Sequence, residues 1–171
     1  MVQACSYKSK IDSNYYCQKL KFSCTQTNKV VNFKTTKGDF EVKLFGKDNP
    51  VTVSNFLENI ENNIYVNQKF YKIIKYPQIR FIHGGVNPEN RFYIERKLTL
   101  SKTSPSIPLE IKFKEEINPR YNYQIKNPIE TENLVNTFDS GSIAMVKCGK
   151  NKSSSTEFFF VTSKIPELDG R

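Results

Sequence analysis

The residues of this chain that could do chemistry begin with a single histidine placed before a pair of glycines. His83 is followed by Gly84 and Gly85, and it ends a stretch from Phe70 that is typical of strand, proline turn and strand. Glycines lack a Cβ atom, so the backbone can bend sharply or approach another group closely there. A neutral imidazole at that place can donate one hydrogen bond and accept another. The stretch therefore predicts the rim of a binding groove.

The sequence offers little for metal or nucleophilic chemistry. It has one histidine and four cysteines, and it contains no Cys-x-x-Cys pair. Neither a zinc site nor a Cys–His dyad is therefore predicted, and we expect no metal and no cofactor. Cys17 and Cys24 are close in sequence, and a disulfide between them is open if the compartment is oxidising.

A second stretch, from Gly141 to Gly170, contains two continuous apolar runs suited to buried strands. Together with the first stretch it resembles the cyclophilin-type peptidyl-prolyl cis-trans isomerases, most closely their cyanobacterial branch. The resemblance covers about residues 30–171 and rests on five motifs in the same order. They are Phe70-Tyr71-Lys72, residues 83–86, residues 141–146, residues 156–159 and Leu168-Asp169-Gly170.

The resemblance implies a mainly β fold with one or two helices, arranged as an antiparallel β-barrel of the cyclophilin type. This domain would occupy residues 30–171 and follow a polar extension at residues 1–29. Cyclophilins continue past the position of Arg171 with a strand, a helix and a barrel-closing strand. We therefore expect a fragment whose barrel lacks its closing strands, which leaves an open edge. The alternative is that the N-terminal extension covers the gap.

The activity implied is isomerisation of Xaa-Pro peptide bonds, which assists protein folding. These bonds flip slowly because partial double-bond character sets a barrier of about 18–20 kcal/mol. Catalysis needs an apolar pocket for the proline ring and a cationic donor aimed at the twisted imide. The family uses an arginine as this donor, and its position here is Lys72. A lysine keeps the charge and loses the planar fork, so we expect weakened catalysis by Lys72.

The other pocket positions of the family fall on eight residues, which we predict to bind substrate. At three of these positions the chain has the apolar residue of the family, which forms the bottom and edge of the proline pocket. At the other five it differs from the family, which has an aromatic residue, two glutamines and an Ala-Asn pair there. The kept positions are Met145, Phe159 and Leu168, and the replaced ones are Arg80, His83, Val146, Lys147 and Glu157. The new charges leave open a second interpretation, a catalytically inactive peptide-binding or scaffold module with a cyclophilin-like fold.

Composition limits the partners. The net charge is +9, from 26 basic and 17 acidic residues, but no basic cluster alternates with aromatic residues, so we expect no nucleic acid partner. The expected partners are proline-containing peptides or unfolded protein clients, bound by a monomer. No apolar run approaches the roughly 20 residues of a membrane helix. Without a visible signal peptide the chain reads as cytoplasmic, or as an exported lipoprotein if Cys5 is a lipidated N-terminus behind an unseen signal.

Local patterns predict the elements that must position these residues. Alternating apolar residues predict a β-hairpin, and apolar residues at helical spacing predict a helix that begins at Asn49-Pro50. Prolines and polar residues predict long loops over residues 87–140. The predicted elements are the hairpin 31–44, the helix stripe Val53, Phe56, Leu57 and Ile60, a strand 107–113, the buried strands 143–146 and 158–161, and a loop 148–155.

Overall fold

The computed structural model describes residues 12–77, 79–87, 89 and 105–171. Cys5 and the predicted turn residue Gln78 lie outside these described residues. The described part contains nine strands, two α-helices and two 3₁₀ helices. In chain order they are α1 (Ser13–Leu20), β1 (Lys29–Thr35), β2 (Gly38–Leu44), α2 (Pro50–Glu61), β3 (Lys72–Lys75), β4 (Arg80–Gly85), β5 (Ser106–Pro108), β6 (Glu110–Ile111), β7 (Arg120–Tyr121), the 3₁₀ helix Pro128–Asn133, β8 (Ile143–Lys147), β9 (Lys152–Val161) and the 3₁₀ helix Pro166–Leu168.

The strands form three antiparallel sheets. One is the β1–β2 hairpin, one is the short pair β6–β7, and the largest has five strands. In the five-stranded sheet β9 pairs with β4, β5 and β8, while β3 pairs with the other edge of β4. The mainly β, antiparallel fold class predicted from the sequence is therefore confirmed, whereas the missing closing strands stay a prediction.

The β1–β2 hairpin forms where the alternation places it. Val31 pairs with Val42, and both lie on the face that packs into the core. Phe33 stacks on Phe40 across the two strands, with ring centroids 5.0 Å apart. Because paired residues of antiparallel strands share a face, the alternating apolar residues bury one side of the hairpin.

Helix α2 begins at Pro50 as predicted, but its N-terminus is capped from elsewhere. The Asn49 side chain makes no capping hydrogen bond. Instead the Glu110 carboxylate accepts the backbone N–H groups of Val51 at 3.1 Å and Thr52 at 2.8 Å. A negative charge at this end also complements the helix dipole. The cap is therefore supplied from β6, 58 or 59 residues along the chain.

The buried face of α2 is partly polar. Val53 and Phe56 are buried as the helical stripe predicts, but Ile60 is 39% exposed, so its predicted place in the stripe is wrong. The reason is that Asn55 and Asn59 turn inward, and both side-chain amides donate to the Ser155 carbonyl, at 2.7 and 2.6 Å. These hydrogen bonds rotate the buried face of the helix toward β9.

Residues 12–28, which we call the N-terminal strap, pack against the domain. Helix α1 in the strap is joined to the segment after it by a disulfide between Cys17 and Cys24. The Tyr16 ring lies 4.7 Å from the Tyr121 ring, and the Thr25 N–H donates to Ser54 Oγ on α2 at 2.7 Å. This part of the predicted polar extension is therefore structured, while the domain boundary at residue 30 stays a prediction.

Two apolar clusters lie on the two faces of the five-stranded sheet. Phe158 packs on one face with α2 and the hairpin, and Phe159 packs on the other with Val161 and Ile165. A third cluster lies around Phe113 in the 109–134 segment. The predicted strand 107–113 is interrupted at Leu109, and β9 already begins at Lys152, inside the predicted loop 148–155. No helix in the described ranges is long and apolar enough to cross a bilayer.

Candidate functional site

One row of paired residues crosses four strands on a single face of the five-stranded sheet. Lys72 on β3 pairs with His83 on β4, His83 pairs with Phe159 on β9, and Phe159 pairs with Ala144 on β8. Directly opposite residues of antiparallel strands share a face, with Cβ atoms about 4.5–5.5 Å apart. The row therefore brings a cation, an imidazole and an aromatic ring side by side, and we call this surface the site face.

Phe159 is the centre of the apolar part of the site face. Its ring lies 5.6 Å from Phe81 and stacks on Phe138 at 5.7 Å with an interplanar angle of 5°. Val146 and Leu168 pack against the same cluster. Phe159 itself is buried, at 9% exposure, and the accessible part of this apolar cluster is formed by half-buried side chains, which are Phe81, Phe138, Val146 and Leu168. Such an apolar surface suits the ring of a proline.

His83 is the polar residue next to this apolar cluster. Its imidazole is half-buried and lies 4.9 Å from the Phe81 ring and 5.9 Å from the Phe159 ring. Burial, and then the positive charge of Lys72, lower the pKa of His83 below its usual value. The imidazole is therefore neutral at pH 7, so it can donate one hydrogen bond and accept one.

Lys72 is exposed at the edge of the site face. The pairing register puts it next to His83, and its positive charge contributes to the lowered pKa of that imidazole. No ion pair holds Lys72 in the described part of the chain. An unpaired ammonium beside an apolar cluster is free to donate to a ligand carbonyl or imide.

Glu157 lies on the same face, two residues before Phe159 on β9. The Tyr71 hydroxyl donates to Glu157 Oε2 at 3.1 Å, and the Ser154 hydroxyl donates to Glu157 Oε1 at 3.4 Å. The carboxylate is half-buried, and this burial raises its pKa, against the opposing effect of the two hydrogen bonds. Burial and the carboxylate in turn raise the pKa of Tyr71, so the phenol keeps its proton and remains a donor.

An open groove of about 1060 Å³ lies along β8 and is lined by residues of the clusters on both faces of the five-stranded sheet, among them Phe56 and Phe159. Six of the nine predicted site residues line this groove, and three do not. The six are His83, Met145, Val146, Lys147, Phe159 and Leu168, and the other three are Lys72, Arg80 and Glu157. Lys72 and Glu157 nevertheless lie on the site face beside His83 and Phe159.

Two predicted residues do not join the site face. Met145 pairs with Phe158 and packs into the cluster on the opposite face of the sheet. Arg80 is exposed and, by strand alternation, lies on the same face as Ile82 and away from His83. Phe81, which the sequence analysis did not select, occupies the aromatic position beside His83 instead.

Two further predicted residues lie at the ends of the apolar cluster. Lys147 follows a register shift at the end of β8, and its ammonium lies 3.5 Å from the Gln124 side-chain oxygen. Leu168 ends a 3₁₀ helix, and the next residue, Asp169, accepts the Phe138 N–H at 2.7 Å. This hydrogen bond fixes Phe138 over Phe159. Sequence reasoning missed Phe138 because it lies in a stretch without periodicity, whereas the alternation of β4 would have identified Phe81.

The glycine pair after His83 lets β4 lie close against β9. A Cβ on Gly84 would lie 2.8 Å from the Phe158 ring, and one on Gly85 would lie 2.2 Å from the Thr156 carbonyl. Gly85 also has a φ of +90°, which favours glycine. The described residues contain no group of three or more His, Cys, Asp and Glu side chains that could hold a metal ion.

The fold and the site define an antiparallel β protein with an open groove and a cation beside an aromatic cluster. The family described as "Cyclophilin type peptidyl-prolyl cis-trans isomerase/CLD" matches residues 30–171, and the chain belongs to this family. This membership confirms the predicted family and its assignment to the peptidyl-prolyl isomerases. Members of the family bind proline-containing peptides.

Two curated relatives support this membership. The chain is 28% identical over 137 residues to "Peptidyl-prolyl cis-trans isomerase 9" of Schizosaccharomyces pombe, a match that covers 80% of this chain and 18% of that protein. It is 28% identical over 141 residues to "Peptidyl-prolyl cis-trans isomerase CYP18-2" of Arabidopsis thaliana, covering 82% of this chain and 68% of that protein. The chain thus spans less than a fifth of the first relative and about two thirds of the second.

Proposed function

We propose that this chain binds Xaa-Pro segments of peptides and unfolded proteins on the site face and catalyses their cis-trans isomerisation. The observation that carries the proposal is the row of Lys72, His83 and Phe159 across three neighbouring strands. The row supplies an apolar surface for the proline ring and a cation next to it.

In this proposal the proline ring packs on the surface of the apolar cluster around the buried Phe159, against Phe81 and Leu168. The Lys72 ammonium donates to the imide as it twists out of planarity, when the nitrogen regains a lone pair and becomes a better acceptor. A donor that interacts more strongly with the twisted than with the planar state lowers the barrier. The neutral His83 imidazole holds the flanking peptide group by one hydrogen bond. The reaction needs neither a nucleophile nor a metal.

Exchange spectroscopy on a short Ala-Xaa-Pro-containing peptide tests the proposal, because it measures cis-trans interconversion without a coupling enzyme. We expect the exchange rate to rise in proportion to protein concentration. Replacing Lys72 by arginine, the family's donor, should raise the rate further, since the planar guanidinium can hold two acceptors at once. A rate equal to that of the free peptide, measured with protein that is shown to be folded, would overturn the proposal.

A second candidate function is peptide binding without catalysis. It is favoured by the lysine that replaces the family's arginine and by Glu157, a charged residue of the site face where the family has a glutamine. This candidate predicts chemical-shift changes in a proline peptide on titration, with no change in its interconversion rate. A rate increase rules it out. As partners we propose proline-containing segments only, bound by a monomer, with no nucleic acid.

A further inference from the structure

Glu157 is the only acidic residue placed by the register on the site face among the strand residues described here. It lies two residues before Phe159 on β9, so both side chains leave the same face of the strand. Two residues of a strand span about 6.6–6.8 Å. This carboxylate is therefore one to two peptide residues away from a proline ring packed against the cluster around Phe159.

The carboxylate is held in place by neutral groups. Tyr71 and Ser154 each donate one hydrogen bond to it, one to each oxygen. A carboxylate can accept about four hydrogen bonds, so each oxygen retains acceptor capacity. The ion pairs in the described part of the chain involve Arg120 with Glu116 and Lys164 with Asp139, and neither includes Glu157. Its negative charge thus has a fixed position and no cationic partner there.

The neighbouring strand does not cover this charge. The residue of β4 directly opposite Glu157 is Gly85, which has no side chain and no room for one. Within the described residues the cations near the site lie elsewhere: Lys72 is next to His83, and Lys147 lies beside Gln124 at the end of β8. The site face therefore has a positive charge, Lys72, at its edge beside His83 and a negative charge, Glu157, opposite Gly85.

We propose that Glu157 makes this site select peptides that carry a lysine or arginine within two residues of the proline. The proposal rests on the proposed binding of proline segments to the site face. A basic side chain in that position would form a charge-assisted hydrogen bond with a half-buried carboxylate, which is stronger than an exposed ion pair. An acidic side chain there would meet a like charge that cannot move away, because Tyr71 and Ser154 fix it.

Binding affinity, measured by calorimetry or NMR titration, tests this selection independently of turnover. The probes are proline peptides that differ only by Lys, Gln or Glu at one of the two positions before or after the proline. At one of these positions we expect the lysine peptide to bind roughly 3- to 10-fold more tightly than the glutamine peptide, and the glutamate peptide to bind more weakly than both. The difference should shrink at high salt.

Two variants complete the test. Glu157→Gln keeps the shape of the side chain and an oxygen that accepts from Tyr71, so we expect it to remove the discrimination between peptides. Glu61→Gln removes an exposed carboxylate at the far end of α2 and should leave the discrimination unchanged.

The outcomes separate this proposal from the proposed isomerase activity. Equal affinities for the lysine, glutamine and glutamate peptides overturn the selection, even if all three are isomerised. Discrimination that persists in Glu157→Gln also overturns it, as does a folded protein that binds none of the peptides. Discrimination that disappears in Glu157→Gln supports the selection, whether or not the bound peptides are turned over.

Discussion

The N-terminus of α2 and the site face use their charged groups in opposite ways. At the helix end the Glu110 carboxylate is buried and accepts two backbone N–H groups, and Tyr16 of the N-terminal strap packs on Tyr121, the residue paired with Glu110. On the site face Lys72 is exposed and Glu157 has only neutral partners. A buried carboxylate that caps a helix serves the fold, whereas charged groups that solvent still reaches, such as Lys72 and Glu157, are available to a ligand.

This difference predicts that the two regions separate stability from chemistry. Changes at the helix cap should lower the free energy of unfolding and leave the activity of the folded protein intact. Changes on the site face should alter activity or binding with little effect on stability.

The largest effect is expected for Lys72→Ala. If Lys72 is the donor to the twisted imide, its loss should lower the catalysed exchange rate about 10²- to 10³-fold. The free energy of unfolding should change by less than about 0.5 kcal/mol, because the side chain is exposed. Exchange spectroscopy and urea unfolding measure the two quantities on the same sample.

Lys75→Ala is the matched control for Lys72→Ala. Lys75 is an exposed lysine on the same strand, and alternation places it on the opposite face. We expect the rate of this variant to equal that of the wild type. If Lys72→Ala keeps a third or more of the activity, or if both variants lose it equally, Lys72 is not the donor.

The second effect concerns stability at the helix cap. Glu110→Ala leaves the buried N–H of Val51 and the partly buried N–H of Thr52 without their acceptor, and we expect the free energy of unfolding to fall by about 2–3 kcal/mol. Urea unfolding measures the loss, and the exchange rate per folded molecule should stay unchanged. The exposed Glu115 provides a control, since Glu115→Ala should leave stability within about 0.5 kcal/mol. A cap variant that loses activity while it remains folded would contradict the separation of the two regions.

The third effect concerns the disulfide of the strap. Cys17 and Cys24 are 7 residues apart, and closing so short a loop is worth about 2 kcal/mol in the chain-entropy view. Cys17→Ser, or a reducing agent, should therefore lower the melting temperature of the wild type by several degrees. Cys148 is free and exposed, so Cys148→Ser should have no such effect. If neither the reducing agent nor Cys17→Ser changes the melting temperature, the disulfide of the strap does not stabilise the domain.

Local patterns predicted the elements well because the physical cause of each element is local. The period of two in residues 31–44 produced β1 and β2, and the Asn-Pro start with Val53 and Phe56 produced α2. The glycine pair marked the end of β4, where close contact with β9 excludes a side chain. In each case the residues that decide the structure lie within a few positions of one another.

The parts that could not be predicted depend on contacts between distant residues. Glu110 caps α2 from 58 or 59 residues away, and no local signal assigns a glutamate in a short strand to that role. The order of the motifs grouped Met145 with Phe159, but the pairing register of β8 with β9 puts them on opposite faces. A shift of one residue exchanges the faces, so the site depends on a register that the sequence pattern does not specify.

The smallest effect is the pH dependence of stability that Glu157 contributes. Burial raises its pKa above the ordinary value of 4.5, so over a window that begins near pH 4.5 the folded state keeps a proton that the unfolded state has lost. Stability should therefore fall as pH rises through that window, up to the pKa of the folded state. Glu157→Gln cannot titrate, so its stability relative to the wild type should increase with pH. The change should stay below about 1 kcal/mol, because the side chain is half exposed and solvent screens its charge.

Glu110 and Asp169 also have raised pKa values, but both are present in the two proteins, so the difference in urea midpoints between pH 4 and 8 isolates Glu157. A difference that does not vary with pH would mean that the carboxylate is as well solvated as in the unfolded chain, which would also remove the reason for its selection of a basic peptide.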